Sequence, residues 1–90
     1  MAWTIEFSGE ARKQLRKLDG QAAARIIKFV ETRIAPTENP RAFGAALQGT
    51  EFGEFWKYRV GDYRIICRIE DQRLTVLVVK VVDRKEVYKR

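Results

Sequence analysis

The sequence predicts an α+β fold, an αα-hairpin packed on a four-stranded antiparallel sheet, with the element order β-α-α-β-β-β. Three patterns predict it: strict alternation over Trp3 to Phe7, apolar residues at helical spacing between Ala11 and Ile34, and three strand-type runs between Phe55 and Val82 broken by turn residues. The 90 residues are enough for one domain, residues 1–90, whose core can form without metal or disulfide staples.

In the opening strand Trp3, Ile5 and Phe7 point one way and Thr4 and Glu6 the other. Ser8 follows as a helix N-cap. The helix from Gly9 to Leu18 carries Ala11, Leu15 and Leu18 as a narrow apolar stripe, and Arg12, Lys13, Arg16 and Lys17 fill the remainder as a solvated face, with a second RNA contact as the alternative. Asp19-Gly20 breaks that helix and opens another, in which Ala23, Ile27, Val30 and Ile34 recur at helical spacing until Pro36 ends it. Residues Thr37 to Gly53 hold Pro40, Gly44, Gly49 and Gly53 and read as a connection with one short helical turn over Ala42 to Leu47. Strands over Phe55 to Val60, Tyr63 to Glu70 and Leu74 to Val82 then form a meander, separated by Gly61-Asp62 and by Asp71-Gln72-Arg73. The last strand is apolar apart from Thr75 and Lys80, which places it centrally in the sheet with the N-terminal strand beside it.

Eighteen Lys and Arg against twelve Asp and Glu leave a formal charge of +6, suited to an anionic partner such as nucleic acid. The chain has no histidine and one cysteine, Cys67, in an apolar run. Imidazole catalysis and most zinc sites are therefore excluded, no cofactor is implied, and nothing asks for an oxidising compartment. No segment has the pattern of a signal peptide or a membrane span, so a cytoplasmic location without a membrane partner is expected.

The turn at Gly61-Asp62 sets the position of the basic residues. Glycine at the first loop position suits a type II′ turn that pairs Val60 with Tyr63, and from there Arg59 faces Arg64, Tyr58 faces Ile65, Lys57 faces Ile66, Trp56 faces Cys67 and Phe55 faces Arg68. One sheet face then receives Trp56, Tyr58, Val60, Tyr63, Ile65 and Cys67 as core. The other receives Lys57, Arg59, Arg64 and Arg68, with Phe55 and Ile66 among them and no acid before Glu70. Like charges directly opposite one another weaken strand pairing, which favours a functional over a purely structural reading of this basic plate. The tail from Asp83 adds Arg84, Lys85, Lys89 and the ring of Tyr88.

Such a cluster fits metal-independent RNA cleavage, in which the 2′-hydroxyl attacks the adjacent phosphate and the protein supplies a base, an acid and stabilisation of the phosphorane. Guanidinium groups match phosphate oxygens in bidentate fashion, which suits Arg64 and Arg84 to the growing charge. Tyrosine suits stacking on a base. Lys57, crowded by arginines, is the candidate general base.

The opening strand before two helices, Leu47-Gln48-Gly49, the run Trp56-Lys57-Tyr58-Arg59-Val60-Gly61-Asp62-Tyr63-Arg64-Ile65-Ile66 and the ending Asp83-Arg84-Lys85-Glu86-Val87-Tyr88 together resemble the RelE/ParE superfamily of bacterial type II toxins over nearly the whole chain. The resemblance implies a toxin that enters the ribosomal A site, cleaves mRNA there and is silenced by a cognate antitoxin. It implies that Arg64 contacts the scissile phosphate, that Arg84 stabilises charge or protonates the leaving oxygen, that Tyr88 stacks on the codon, and that Lys57 and Arg59 stand where RelE has a basic pair. Arg68, Lys85 and Lys89 are the accompanying RNA-binding residues. Where many relatives have His-Arg, this chain has Asp83-Arg84, so a histidine-based mechanism is not open to it. The chain also ends two residues after Tyr88, without the C-terminal helix of some relatives, and antitoxin docking is expected to differ accordingly. Two other readings compete: a ParE-type toxin that poisons DNA gyrase, and a non-catalytic RNA-binding module using the plate for phosphate contact and stacking.

Overall fold

The computed structural model describes residues 3–47 and 55–83. Strand β1 (Thr4–Phe7) leads into helix α1 (Gly9–Lys17), capped by Ser8, whose hydroxyl accepts from the Ala11 N–H at 3.0 Å. Helix α2 (Gly20–Phe29) is capped in the same way by Asp19. It ends in a wider π turn over Val30–Ile34, closed by the Ala35 N–H donating to the Val30 carbonyl. That turn rephases the apolar stripe: Ile26, Val30 and Ile34 are fully buried, whereas Ile27, expected in the stripe, is 36% exposed.

The connection holds a 3-10 turn at Pro40–Ala42 and a two-residue strand β2 (Ala45–Ala46), in place of the helical turn expected over Ala42 to Leu47. Pro40 at the first position of the turn and the positive φ of Gly44 direct the chain onto the sheet edge before a helical turn can form. Strands β3 (Phe55–Val60), β4 (Tyr63–Glu70) and β5 (Thr75–Asp83) complete the sheet.

The sheet has five strands in the order β1-β5-β4-β3-β2, and β1 runs parallel to β5. This corrects the expected four-stranded antiparallel sheet on two counts. An alanine pair is too short and too weak in strand propensity to be legible as β2. The orientation of β1 follows from the path of the chain: α2 brings it back to the starting end of β1, where the Trp3 N–H donates to the Ala35 carbonyl at 2.6 Å. Strands β3 and β5 both set out from that end, so β5 runs with β1.

Helix α1 continues where β1 stops and covers the rest of the outer edge of β5. Ser8 donates its hydroxyl to the Val79 carbonyl at 2.7 Å, and Gln14 Oε1 accepts from the Val81 N–H at 2.7 Å. These bonds satisfy backbone groups that would otherwise be an unpaired sheet edge. The core lies between the helices and one sheet face, where Tyr58, Ile65, Cys67, Val76 and Val78 meet Ile26, Val30 and Ile34.

Candidate functional site

The turn between β3 and β4 has a positive φ of 58° at Gly61 and none at Asp62, the sign pattern of a type II′ turn. The pairing that follows has Val60 opposite Tyr63, Arg59 opposite Arg64, Lys57 opposite Ile66 and Phe55 opposite Arg68, in agreement with the register expected from the turn. Tyr58, Val60, Ile65 and Cys67 are buried on the helix side. By strand alternation Lys57, Arg59, Arg64 and Arg68 therefore share the opposite face.

Three of these cations meet in one place. Lys57, Arg59 and Arg64 line a depression of about 170 Å³, together with Tyr58, Gly44 and Ala45. Two core aromatics build that wall. Trp56 Nε1 donates to the Phe43 carbonyl at 2.6 Å and the Tyr58 hydroxyl donates to the Pro40 carbonyl at 2.8 Å, which holds residues 40–44 down so that Ala45 can pair with Lys57. Gly44 has φ 72°, and a Cβ there would stand 2.2 Å from the Lys57 carbonyl oxygen. Glycine is needed at this position for conformation and for space. Nothing in the spacing of the sequence marks Gly44 and Ala45 as part of the site, because the strand that carries them is two residues long.

Charge on this side of the sheet is sorted by position. At the end holding the β4–β5 turn, Arg41 makes a bidentate pair with Asp71 at 2.9 and 3.0 Å, and Arg73 pairs with both Glu70 and Glu6. The Arg41 guanidinium holds the Asp71 carboxyl below its usual range. At the hairpin end Lys57, Arg59 and Arg64 have no ion-pair partner among the described residues. Three uncompensated cations around a concavity form a seat for a multivalent anion, with planar forks supplied by Arg59 and Arg64.

Tyr58 is no proton acceptor here: burial, then the neighbouring Cys67, push its hydroxyl far above the ordinary tyrosine range, against a smaller opposing effect of Arg41. Arg68 lies on the same face one row beyond the depression, 3.9 Å from Glu70. Lys80, which the apolar run around it did not mark as a site residue, also falls on this face, opposite Ile66. Arg84, Lys85, Tyr88 and Lys89 lie outside the described residues. Among the described residues no three cysteine or acidic side chains gather so as to hold a metal ion, and no helix is long and apolar enough to cross a membrane.

A family model described as the ParE toxin of the type II toxin-antitoxin system parDE matches residues 5–88. The chain belongs to the RelE/ParE superfamily of type II toxins. This toxin is 31% identical over 90 residues to Toxin RelG of Mycobacterium tuberculosis, covering 100% of both chains. Among solved structures it is similar to the RelBE2 toxin-antitoxin complex of Mycobacterium tuberculosis, with a TM-score of 0.83 and 28% identity over 93% of each chain. It is also similar to a double-arginine mutant of Escherichia coli toxin RelE in the free state, with a TM-score of 0.75 and 26% identity over 99% of this chain and 93% of that one. The toxin thus shares the α+β fold of RelE, two helices against a five-stranded sheet.

Proposed function

We propose that this toxin is a ribosome-dependent endoribonuclease that cleaves mRNA in the A site by attack of the 2′-hydroxyl on the scissile phosphate, without a metal ion. The observation that carries the reading is the depression in which Lys57, Arg59 and Arg64 converge without an ion-pair partner among the described residues. Phosphate chemistry uses such a seat: the phosphate enters with its charge, and the arginine forks hold it more tightly as charge builds in the phosphorane. Lys57 is the proposed base for the 2′-hydroxyl. Arg64 contacts the scissile phosphate and Arg59 supports it. Arg84 stabilises the leaving oxygen, Tyr88 stacks on the codon, and Arg68, Lys85 and Lys89 hold the flanking strand. The partners are mRNA in the ribosome and a cognate antitoxin; the related RelBE2 structure is a toxin-antitoxin complex. The site of action is the cytoplasm.

The family model that matches carries the name of ParE, and this favours a second reading, poisoning of DNA gyrase. Two assays run side by side separate them. In a translating extract the nuclease reading predicts fragmented mRNA, and in a gyrase reaction it predicts normal supercoiling. Stalled gyrase with cleaved DNA and intact mRNA overturns it. RNA binding without any cleaved product would instead identify a non-catalytic binding module.

A further inference from the structure

Lys80 is the only charged residue in β5 before Asp83, and the strand is irregular just ahead of it. From Thr75 to Val78 the strand pairs with β4 in one register; Val79 is an extra residue, and from Lys80 onward the register is displaced by one. Continued without that shift, the pairing would set Lys80 opposite Ile65, which is fully buried under the helices. The bulge sets it opposite Ile66 instead, and Ile66 pairs on its other side with Lys57. Bulges recur beside functional sites because they re-aim a single side chain.

Lys57, Ile66 and Lys80 therefore form one row across β3, β4 and β5, on the face that bears Arg59, Arg64 and Arg68. With neighbouring strands about 4.8 Å apart, the two lysine backbones stand on the order of 10 Å from each other, astride an apolar side chain. Lys80 is exposed, and its ion pair with the exposed Glu10 is long, at 4.0 Å. Such a pair contributes little and yields readily to a phosphate.

We propose that Lys80 is a second anchor for the RNA backbone, holding a phosphate on the far side of Ile66 from Lys57. This rests on the reading of the Lys57, Arg59 and Arg64 depression as the RNA-cleaving site, and adds the direction in which the strand leaves it. A single strand lies across β4 and β5, with Ile66 beneath a sugar or base, rather than along the β3–β4 hairpin. Glu10 competes with the RNA for the Lys80 ammonium.

The test uses the full chain and a short fluorescent single-stranded RNA, with binding followed by anisotropy over a range of salt concentrations. Lys80→Ala is expected to weaken binding several-fold at low salt and to reduce the log–log salt slope by about 0.7, the share of one phosphate contact to a single strand. Lys80→Arg is expected to restore both, Glu10→Gln to tighten binding, and the thermal midpoint of Lys80→Ala to match the wild type. If Lys80→Ala binds with unchanged affinity and slope while Arg64→Ala is weakened, the anchor is wrong and the RNA site stands. If Arg64→Ala also binds like the wild type, or the wild type binds no RNA at the lowest salt, the RNA reading of this face is overturned and the anchor with it.

Discussion

Arg59 and Arg64 face each other across β3 and β4 without an acidic partner among the described residues, an arrangement that opposes strand pairing. Removing one of them is therefore expected to cost the proposed cleavage and not stability. Arg64→Ala is expected to lower single-turnover cleavage by about 10²-fold or more, the scale of losing a charge-stabilising donor, with an unchanged or raised urea midpoint. Lys57→Met is expected to lower the same rate and change its pH profile; an unchanged rate and profile would remove Lys57 as the base. Gly44→Ala acts on the wall of the site. It forces a side chain into a left-handed backbone and against the Lys57 carbonyl, and should cost about 1–3 kcal/mol by urea unfolding together with most of the cleavage. Tyr58→Phe removes the hydrogen bond to Pro40 and should cost about 1 kcal/mol at neutral pH. It should also alter the alkaline limb. Burial raises the folded-state pKa of Tyr58 above its unfolded value near 10, so this contribution is complete below that value and is lost as pH rises from there toward the folded one. Buried Cys67 adds a similar loss beginning near 9. Urea midpoints measured from neutral to alkaline pH should fall for the wild type, and less steeply for Tyr58→Phe.

At the scale of elements, Ser8 ties three parts together: it caps α1 and bonds the bulged Val79 on β5 just after β1 ends. Ser8→Ala should cost about 1–2 kcal/mol by urea unfolding, more than a cap alone. The elements legible in the sequence are those fixed by local chemistry. Ser8 and Asp19 cap the helices because their short side chains reach the free N–H groups of the first turn, and Gly61 fixes the register of β3 on β4 because its backbone angle selects the turn. Once that register is known, the shared face of Lys57, Arg59 and Arg64 follows by alternation alone. Features set by distant contacts were not legible. Ala45 and Ala46 become a strand only because Trp56 and Tyr58 hold residues 40–44 from below, β1 is parallel because α2 returns to its starting end, and Lys80 joins the basic face through a bulge that no local residue announces. The buried stripe of α2 runs through Ile26 rather than Ile27 because the π turn at Val30–Ile34 changes the period.

Across the whole molecule, the net charge of +6 is distributed unevenly. Acids pair with arginines at the end bearing the β4–β5 turn, whereas Lys57, Arg59 and Arg64 have no ion-pair partner among the described residues, so an anion approaching this face is drawn to the depression. The helices and the buried face of the sheet supply rigidity behind it. Association with RNA-bearing partners should accordingly slow as salt rises. The most direct measurement is primer extension on mRNA recovered from a translation reaction, comparing the wild-type toxin with Arg64→Ala. New 5′ ends within the coding region for the wild type, bearing a 5′-hydroxyl and absent for Arg64→Ala, are the predicted result. Identical patterns for the two proteins, or full-length mRNA in both while translation stops, would contradict a phosphate-cleaving site on this face.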